Sequence, residues 1–154
     1  MKINKILLLS LGLLLFSCSK PPLYEKSYSF ADNHWDQTVK PRFIFNVEDS
    51  VALYDFTINL RTTTDYKYNN LLIFITTITP DGQRVREPYE IKITEQNGQW
   101  LGKKTGTIVE NKLLFKNRNL PRKGKYFFLL EQGITASSID QVLDISMKVE
   151  KSKN

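Results

Sequence analysis

The feature that most constrains the fold is a strict alternation of apolar and polar residues in several short stretches. Four apolar residues between positions 54 and 60 alternate with three polar ones, and the pattern recurs at residues 89–93 and 143–149. A period of two is typical of a β-strand with one buried face and one solvent face. No convincing helical period of 3.6 residues is present. The alternation therefore predicts an all-β fold.

Two further stretches, residues 71–75 and 126–130, are apolar without alternation. They predict central strands that are covered on both faces, and residues 43–47 and 108–115 are further strand candidates. Turn-forming residues separate these stretches, at positions 48–50, 65–70, 80–82, 97–98 and 122–124. Eight or nine short strands in one unit predict a single antiparallel β-sandwich of jelly-roll or Greek-key type, which spans residues 24–151.

The N-terminus has the features of an export signal. Lys2 and Lys5 precede a mostly apolar run at residues 6–16, which is shorter than the roughly 20 apolar residues of a membrane-spanning helix. The sequence Leu15-Phe-Ser-Cys18 resembles the bacterial lipobox, in which the Cys carries a diacylglyceryl group and becomes the first residue of the mature chain. Residues 1–17 are therefore predicted to be a lipoprotein signal peptide, and Cys18 is the predicted lipidation site.

Acylation of Cys18 would fix the chain to a membrane, because two or more acyl chains, such as palmitate, anchor a protein stably. Residues 18–23 form the lipidated Cys and a short tether. The tether lacks the acidic run of surface-exported lipoproteins of Bacteroidetes-type bacteria, and Ser19 replaces the Asp that favours inner-membrane retention. We therefore expect an outer-membrane lipoprotein that faces the periplasm, with no nucleic acid among its partners.

The composition offers little for catalysis or metal binding. The chain has one Cys and one His, so it cannot form an intramolecular disulfide or a multi-histidine metal site. No nucleophile elbow and no glycine-rich phosphate loop is present. His34 could act with Asp32 or Asp36 as a metal or acid/base site, but one ring in a polar segment favours a solvated loop histidine. We expect no enzyme activity, no catalytic residue, no metal and no cofactor.

One candidate partner-binding site follows the strand that ends at position 60. It consists of Arg61, Asp65, Tyr66 and Tyr68. Tyr and Arg are enriched at interface hot spots, because each brings a large contact area together with a polar tip. The alternative is that Asp65 caps a turn while the two tyrosines pack over the end of the sandwich.

A second candidate surface is basic. Residues 103–125 contain eight Lys and Arg residues and one acid, Glu110. Such a run produces a positive local potential that could meet lipid phosphates or an acidic partner. The alternative is that the charges are divided among turns and solvent-facing positions. The candidate residues are Lys103, Lys104, Lys116, Arg118, Arg122 and Lys123, with Lys112 and Lys125 in the same run.

Trp100 lies between two glycines in Gly98-Gln-Trp-Leu-Gly102. An exposed Trp there could stack on a sugar ring, whereas its neighbour Leu101 suggests that the pair closes the end of the core. The second interpretation is favoured.

Several motifs together resemble the GldH gliding-motility lipoprotein family of Bacteroidetes. They are Tyr24-Glu-Lys-Ser-Tyr-Ser-Phe30, Asn33-His-Trp35, the run Asn59-Leu-Arg-Thr-Thr-Thr-Asp-Tyr-Lys-Tyr-Asn-Asn-Leu71, Pro80-Asp-Gly82, Gly98-Gln-Trp-Leu-Gly102 and Lys123-Gly-Lys-Tyr-Phe127 with Glu131-Gln132. The sequence departs from the family after Gln132, at residues 133–135, and again at residues 141–146.

The resemblance implies a lipid-anchored envelope protein needed for gliding motility. It also implies action with other motility lipoproteins and with the type IX secretion machinery, and no known catalytic activity or cofactor. The residues alone leave an alternative from another class, an envelope module that binds carbohydrate or peptidoglycan.

Overall fold

The computed structural model describes residues 21–153, which form a β-sandwich. This part of the chain holds eleven strands and one short 3-10 turn, Ala31–Asn33, but no α-helix and thus none that could cross a bilayer. The strands are β1 (Tyr24–Ser29), β2 (His34–Asp36), β3 (Arg42–Val47), β4 (Leu53–Thr63), β5 (Asn70–Ile78), β6 (Arg84–Lys92), β7 (Lys103–Thr105), β8 (Ile108–Asn119), β9 (Gly124–Gln132), β10 (Ser138–Asp140) and β11 (Val142–Lys151).

The long strands have the topology of a jelly roll. One sheet has five strands in the order β1-β11-β4-β8-β7, and the other has four in the order β3-β9-β5-β6. If the eight long strands are renumbered along the chain, the two sheets have the orders 1-8-3-6 and 2-7-4-5. All pairs are antiparallel. The prediction of an antiparallel sandwich of jelly-roll or Greek-key type is confirmed.

The core lies between the inner faces of the two sheets. Along β4 the buried positions are the ones that alternation predicted, and along β11 Val149 and Met147 follow the same rule. Phe45 stacks on Phe128 at 5.5 Å, and Phe128 contacts Phe56 at 5.4 Å between ring centroids. These rings join the sheets, so the sandwich is stabilised by apolar burial.

One long strand, β1, was missed, and only the last part of β6 was predicted, by the alternation at residues 89–93; both strands lie at sheet edges. Each is paired on one side only, and almost all of its residues are exposed. An edge strand buries too little to need a row of apolar residues, and Pro88 is tolerated in β6 because an edge position needs no ladder hydrogen bond there. Apolar periodicity therefore reveals only the part of β6 that carries Tyr89 and Ile91, and none of β1.

The predicted turn at residues 48–50 is present between β3 and β4. The Asp49 carboxylate accepts hydrogen bonds from the backbone N–H groups of Val51 and Ala52 at 3.1 and 3.2 Å. It also pairs with Lys151 at 2.7 Å, and this bond with the two backbone bonds lowers the pKa of Asp49. Asp49 therefore ties the turn to the end of β11.

Asp55 connects a bulge between β4 and β8 to the end of the chain. Its carboxylate accepts hydrogen bonds from Lys116 Nζ at 2.8 Å, from the Asn117 N–H at 2.9 Å and from Ser152 Oγ at 2.6 Å. The bond from Lys116 is the main cause that lowers the pKa of Asp55, to about 2.

Replacing Asp55 by Asn should remove part of the acid sensitivity of the fold. A carboxylate whose pKa is lowered in the folded state stabilises the fold above its unfolded pKa of about 3.9, and this contribution is lost as the pH falls towards 2. The unfolding free energy of the wild type should therefore fall more steeply than that of Asp55→Asn between about pH 4 and pH 2. Urea denaturation at several pH values measures both slopes, and equal slopes would contradict the prediction.

Candidate functional site

The jelly-roll topology gives the sandwich two distinct ends. The chain enters at Tyr24, on the same end as the loops at residues 48–52, 79–83 and 120–123. We call this the entry end. The far end carries the loops at residues 64–69, 93–102, 106–107 and 133–137, together with the small β2–β10 sheet. Successive long strands run between the two ends, so each candidate site can be assigned to one of them.

Arg61, the first residue of the predicted partner-binding site, is engaged within the five-stranded sheet. Its Nε donates to both carboxylate oxygens of Asp144 at 3.0 Å, and its Nη2 also pairs with that carboxylate. Asp144 is buried, and its carboxylate raises the pKa of Arg61. The pair joins β4 to β11, so the guanidinium neutralises a buried charge.

The two tyrosines of the same predicted site have different environments in the far-end loop at residues 64–69. Tyr66 is 6% exposed, and its hydroxyl donates to the carbonyl of Asn70 at 3.1 Å. Burial raises the pKa of this hydroxyl. Tyr68 is 49% exposed and meets the Tyr66 ring edge-on at 5.7 Å. Of the predicted residues in the loop, Asp65 and Tyr68 are therefore the ones that a partner can reach.

Substitutions at the two tyrosines should have different effects on the unfolding free energy, because one side chain is buried and the other is exposed. Tyr66→Phe should cost about 1 kcal/mol in unfolding free energy through the lost hydrogen bond, and Tyr68→Ala should cost less than about 0.5 kcal/mol. Urea denaturation of the two single variants measures this difference. An equal or larger loss for Tyr68→Ala would contradict the placement of Tyr68 at the surface.

The basic stretch is divided between the two ends. Lys103 and Lys104 lie on β7 at the far end, whereas Lys116, Arg118, Arg122 and Lys123 lie at or near the entry end. Some of these charges have acidic partners: Lys116 pairs with Asp55 at 2.8 Å, Arg122 with Asp81 at 2.9 Å, and Lys112 with Glu110 at 2.9 Å. The run of charges in the sequence is thus not one continuous surface.

A feature that sequence reasoning missed lies on the outer face of the four-stranded sheet. On β3, β5 and β9 six of the residues that alternate with the buried core positions are apolar as well and point away from the core, beside polar residues such as Asn46, Thr76 and Lys125. Leu72 is 36% exposed and Ile44 is 40% exposed. We define the outer patch as Ile44, Leu72, Phe74, Ile78, Phe127 and Leu129. The prediction that β5 and β9 are central strands is confirmed, but within residues 21–153 no further layer covers their second face.

Long charged side chains partly cover the outer patch. The guanidinium of Arg86 lies 3.6 Å from the centroid of the Phe74 ring. Glu131 bridges Lys40 at 2.7 Å and Arg86 at 3.0 Å, and the bond from Lys40 is the main cause that lowers the pKa of Glu131. Apolar stems therefore shield the patch while charged heads remain in solvent.

A cavity of about 230 Å³ opens between β6 and the second half of β8. Its inner wall is formed by core side chains such as Phe56, Phe128 and Met147. At the mouth, the Tyr89 hydroxyl donates to Glu87 at 3.0 Å, which adds to the effect of burial in raising the pKa of Tyr89. The cavity is mainly apolar, which suits a small apolar group better than acid/base chemistry.

His34 has a different partner from those expected. Its Nδ1 lies 2.7 Å from a carboxylate oxygen of Asp140, and the two residues pair across β2 and β10. The prediction of a loop histidine was wrong in that His34 belongs to a strand, although its side chain is exposed. No group of three or more potential metal ligands occurs in the described part of the chain.

Trp100 closes part of the core, as the favoured interpretation expected. Its side chain is partly buried against the core cluster, and its backbone forms an isolated antiparallel β-bridge with Thr94. Leu101 does not share this role, because its side chain is largely exposed. A Cβ on Gly102 would lie 2.3 Å from the carbonyl oxygen of Glu110. This position therefore needs Gly, because the loop passes close to the backbone of β8.

Comparison with known families is decisive for the chain as a whole. Residues 22–149 match the family described as GldH lipoprotein. The chain belongs to the GldH lipoprotein family. The resemblance inferred from the motifs is thereby confirmed.

Two relatives of the GldH family extend over nearly the whole chain. A "Gliding motility lipoprotein GldH homolog" of Christiangramia forsetii is 31% identical over 150 residues, which cover 92% of this chain and 91% of the relative. The "Gliding motility lipoprotein GldH" of Flavobacterium johnsoniae is 27% identical, with 96% of each chain covered.

Among solved structures, a carbohydrate-binding module specific for non-crystalline cellulose has a TM-score of 0.48 at 12% identity. The alignment covers 84% of this chain and 73% of the module.

Two of the sequence predictions concern the N-terminus of this chain. The predicted signal peptide, residues 1–17, and the predicted lipidation site, Cys18, lie outside the described residues. The described part begins at Pro21, and β1 begins at Tyr24.

Proposed function

We propose that this protein is a non-enzymatic subunit of the gliding apparatus, anchored by acyl chains on Cys18 in the outer membrane and facing the periplasm. It acts with other motility lipoproteins and with the type IX secretion machinery. Membership of the GldH family supports the role in motility. The observation that carries the binding role is the outer patch, which we propose to be the surface that docks an envelope protein.

The outer patch is unusual because the two sheets have different outer faces. The outer face of the five-stranded sheet carries polar residues such as Thr57, Asn59 and Ser146, with Leu114 between Lys112 and Lys116. The four-stranded sheet instead presents apolar side chains from three adjacent strands. A contiguous exposed apolar surface on a folded domain typically marks an interaction site.

The charges around the outer patch suggest the chemistry of its partner. Arg42, Arg84 and Arg86 lie on the same face, on the strands β3 and β6 that flank the patch. Glu90 and Glu131 are the acids near the patch, and Glu131 is already bound to two cations. An apolar centre with a mainly basic rim complements a protein surface with an apolar centre and an acidic rim.

The far-end loop is a second contact in this proposal. Asp65 and Tyr68 would meet the partner there, while Arg61 and Tyr66 hold the loop and its flanking strands in place. The entry end adjoins the membrane anchor, so this loop points away from the anchor and is available to other envelope components.

Photocrosslinking in intact cells tests the docking role. A benzophenone amino acid at Leu72, in the outer patch, should crosslink to a specific envelope protein, because its side chain would be buried in the interface. The matched control is the same amino acid at Leu114, which is 55% exposed on the other outer face. Specific adducts from position 114 but not from position 72 would reject the outer patch as the docking surface.

The alternative of a wall-binding module makes a different prediction. A carbohydrate- or peptidoglycan-binding domain should sediment with purified cell wall, whereas a partner-binding subunit should stay in the supernatant. Specific sedimentation without crosslinks from position 72 would favour the alternative.

A further inference from the structure

We propose that the entry end of the sandwich is a second membrane contact, which binds the phosphates of anionic lipids through Arg118, Lys123 and Lys125. This inference rests on the lipid anchor of the proposed function. It concerns a protein surface that the anchor itself does not use, and it fixes which end of the domain faces the bilayer.

The entry end has more unpaired basic side chains than unpaired acidic ones. Three acidic side chains at this end each form an ion pair with a basic one, namely Asp49, Asp55 and Asp81. Glu48 and, on β1, Glu25 have no ion pair within residues 21–153. Against these two acids stand five basic side chains that also lack an ion pair in that range, namely Arg84, Arg118, Lys123, Lys125 and Lys153. The unpaired charge of this end is therefore positive, as binding to an anionic surface requires.

The tether between Cys18 and β1 is short compared with the sandwich. Six residue steps separate Cys18 from Tyr24, and an extended chain spans at most about 3.6 Å per residue, or about 22 Å in all. β8 runs from the far end to the entry end with 12 residues, which at about 3.3 Å per residue makes the sandwich about 40 Å long. With the anchor in the bilayer, the entry end is held close to the headgroups, whereas the far end can approach them only if the domain lies flat.

The entry end also has an exposed apolar tip. Val51 is 89% exposed in the loop between β3 and β4. The loop is held by the hydrogen bonds from Val51 and Ala52 to Asp49, and Asp49 is neutralised by Lys151. An apolar side chain on a loop that hydrogen bonds hold in place suits the headgroup region of a bilayer.

The far end supplies a matched control. Lys103 and Lys104 belong to the same basic stretch of sequence and are exposed, but they lie on β7. Acids are interspersed at that end, among them Asp65, Glu95 and Asp140. Reversing the charge of Lys103 and Lys104 changes the net charge by the same amount as reversing Lys123 and Lys125.

Vesicle sedimentation tests the contact without the anchor. The probe is the mature chain from residue 18 with Cys18→Ser, which retains the whole described core, Phe30 to Val149. It should bind phosphatidylcholine vesicles that contain phosphatidylglycerol, and should bind pure phosphatidylcholine far more weakly. Each basic residue near an anionic surface contributes on the order of fivefold in affinity, so Lys123→Glu with Lys125→Glu should weaken binding by more than about tenfold. Lys103→Glu with Lys104→Glu should change it by less than about twofold.

Several outcomes would overturn the contact. These are equal losses for the two double variants, equal binding to neutral and anionic vesicles, no vesicle binding, or displacement by inorganic phosphate at constant ionic strength. The last result would indicate a site for a free anion. The acylation of wild-type Cys18 is measured separately by mass analysis. If Cys18 is acylated but the Cys18→Ser chain binds no vesicles, this contact is rejected and the lipid anchor is not.

Discussion

Replacing Leu72 by Lys should abolish gliding and reduce capture of the docked partner at least about 30-fold, because truncation or charging of a hot-spot residue costs about 2 kcal/mol or more. Leu72 lies in the outer patch, opposite Glu90 on β6. A Lys at this position can pair with Glu90 in the free protein, so the fold should tolerate it. In the interface the same charge would lose its hydration, and this cost can exceed what the ion pair with Glu90 contributes. Colony spreading and co-purification from crosslinked cells measure the two effects.

The matched control is Leu114→Lys on the outer face of the other sheet. It introduces the same charge at a position that is more exposed, and we expect nearly wild-type gliding and capture. Ile44→Lys, at the opposite side of the outer patch, should reproduce the loss independently. If Leu72→Lys and Ile44→Lys are folded, acylated and motile, the outer patch is not the docking surface.

The outer patch shows which features of the fold the apolar pattern of the sequence could predict and which it could not. Alternation identified the inward rows of β4 and, from Ile145 onwards, of β11 because those strands expose a polar face, whereas a bulge at the start of β11 buries Asp144 and not Leu143. For β5 and β9 the pattern indicated two apolar faces, and we expected both to be covered. A two-layer sandwich covers only one of them. The number of layers is a property of the whole topology, so the sequence could not distinguish a buried second face from a docking surface.

For a similar reason, the positions of the candidate site residues could not be predicted without the strand topology. The basic residues at positions 103–125 lie close together in the sequence. Between Lys104 and Arg118, however, β8 crosses from one end of the sandwich to the other, so these two side chains lie at opposite ends. In the loop at residues 64–69 no periodicity applies, so the pattern could not tell which tyrosine was buried. Tertiary packing made that choice, since the Tyr66 side chain belongs to the core cluster and the Tyr68 side chain is exposed.

The far end depends on Trp35, and Trp35→Ala should lower the unfolding free energy by about 3 to 5 kcal/mol. The Trp35 side chain is fully buried. Its ring stacks on Phe30 at 4.7 Å between centroids, and its Nε1 donates to the carbonyl of Val39 at 2.9 Å. Removal of the ring would leave a cavity and an unpaired carbonyl where the β2–β10 sheet closes the sandwich.

The neighbouring residue provides the control for Trp35. His34 is in the same strand but is exposed, and its bond to Asp140 lies at the surface. His34→Ala should therefore change the unfolding free energy by less than about 1 kcal/mol, although it deletes the chain's one imidazole. Urea denaturation of both variants at neutral pH measures the difference. Similar losses would show that the strand pairing itself, and not the buried ring, closes the far end, and a stable Trp35→Ala protein would remove Trp35 from the core.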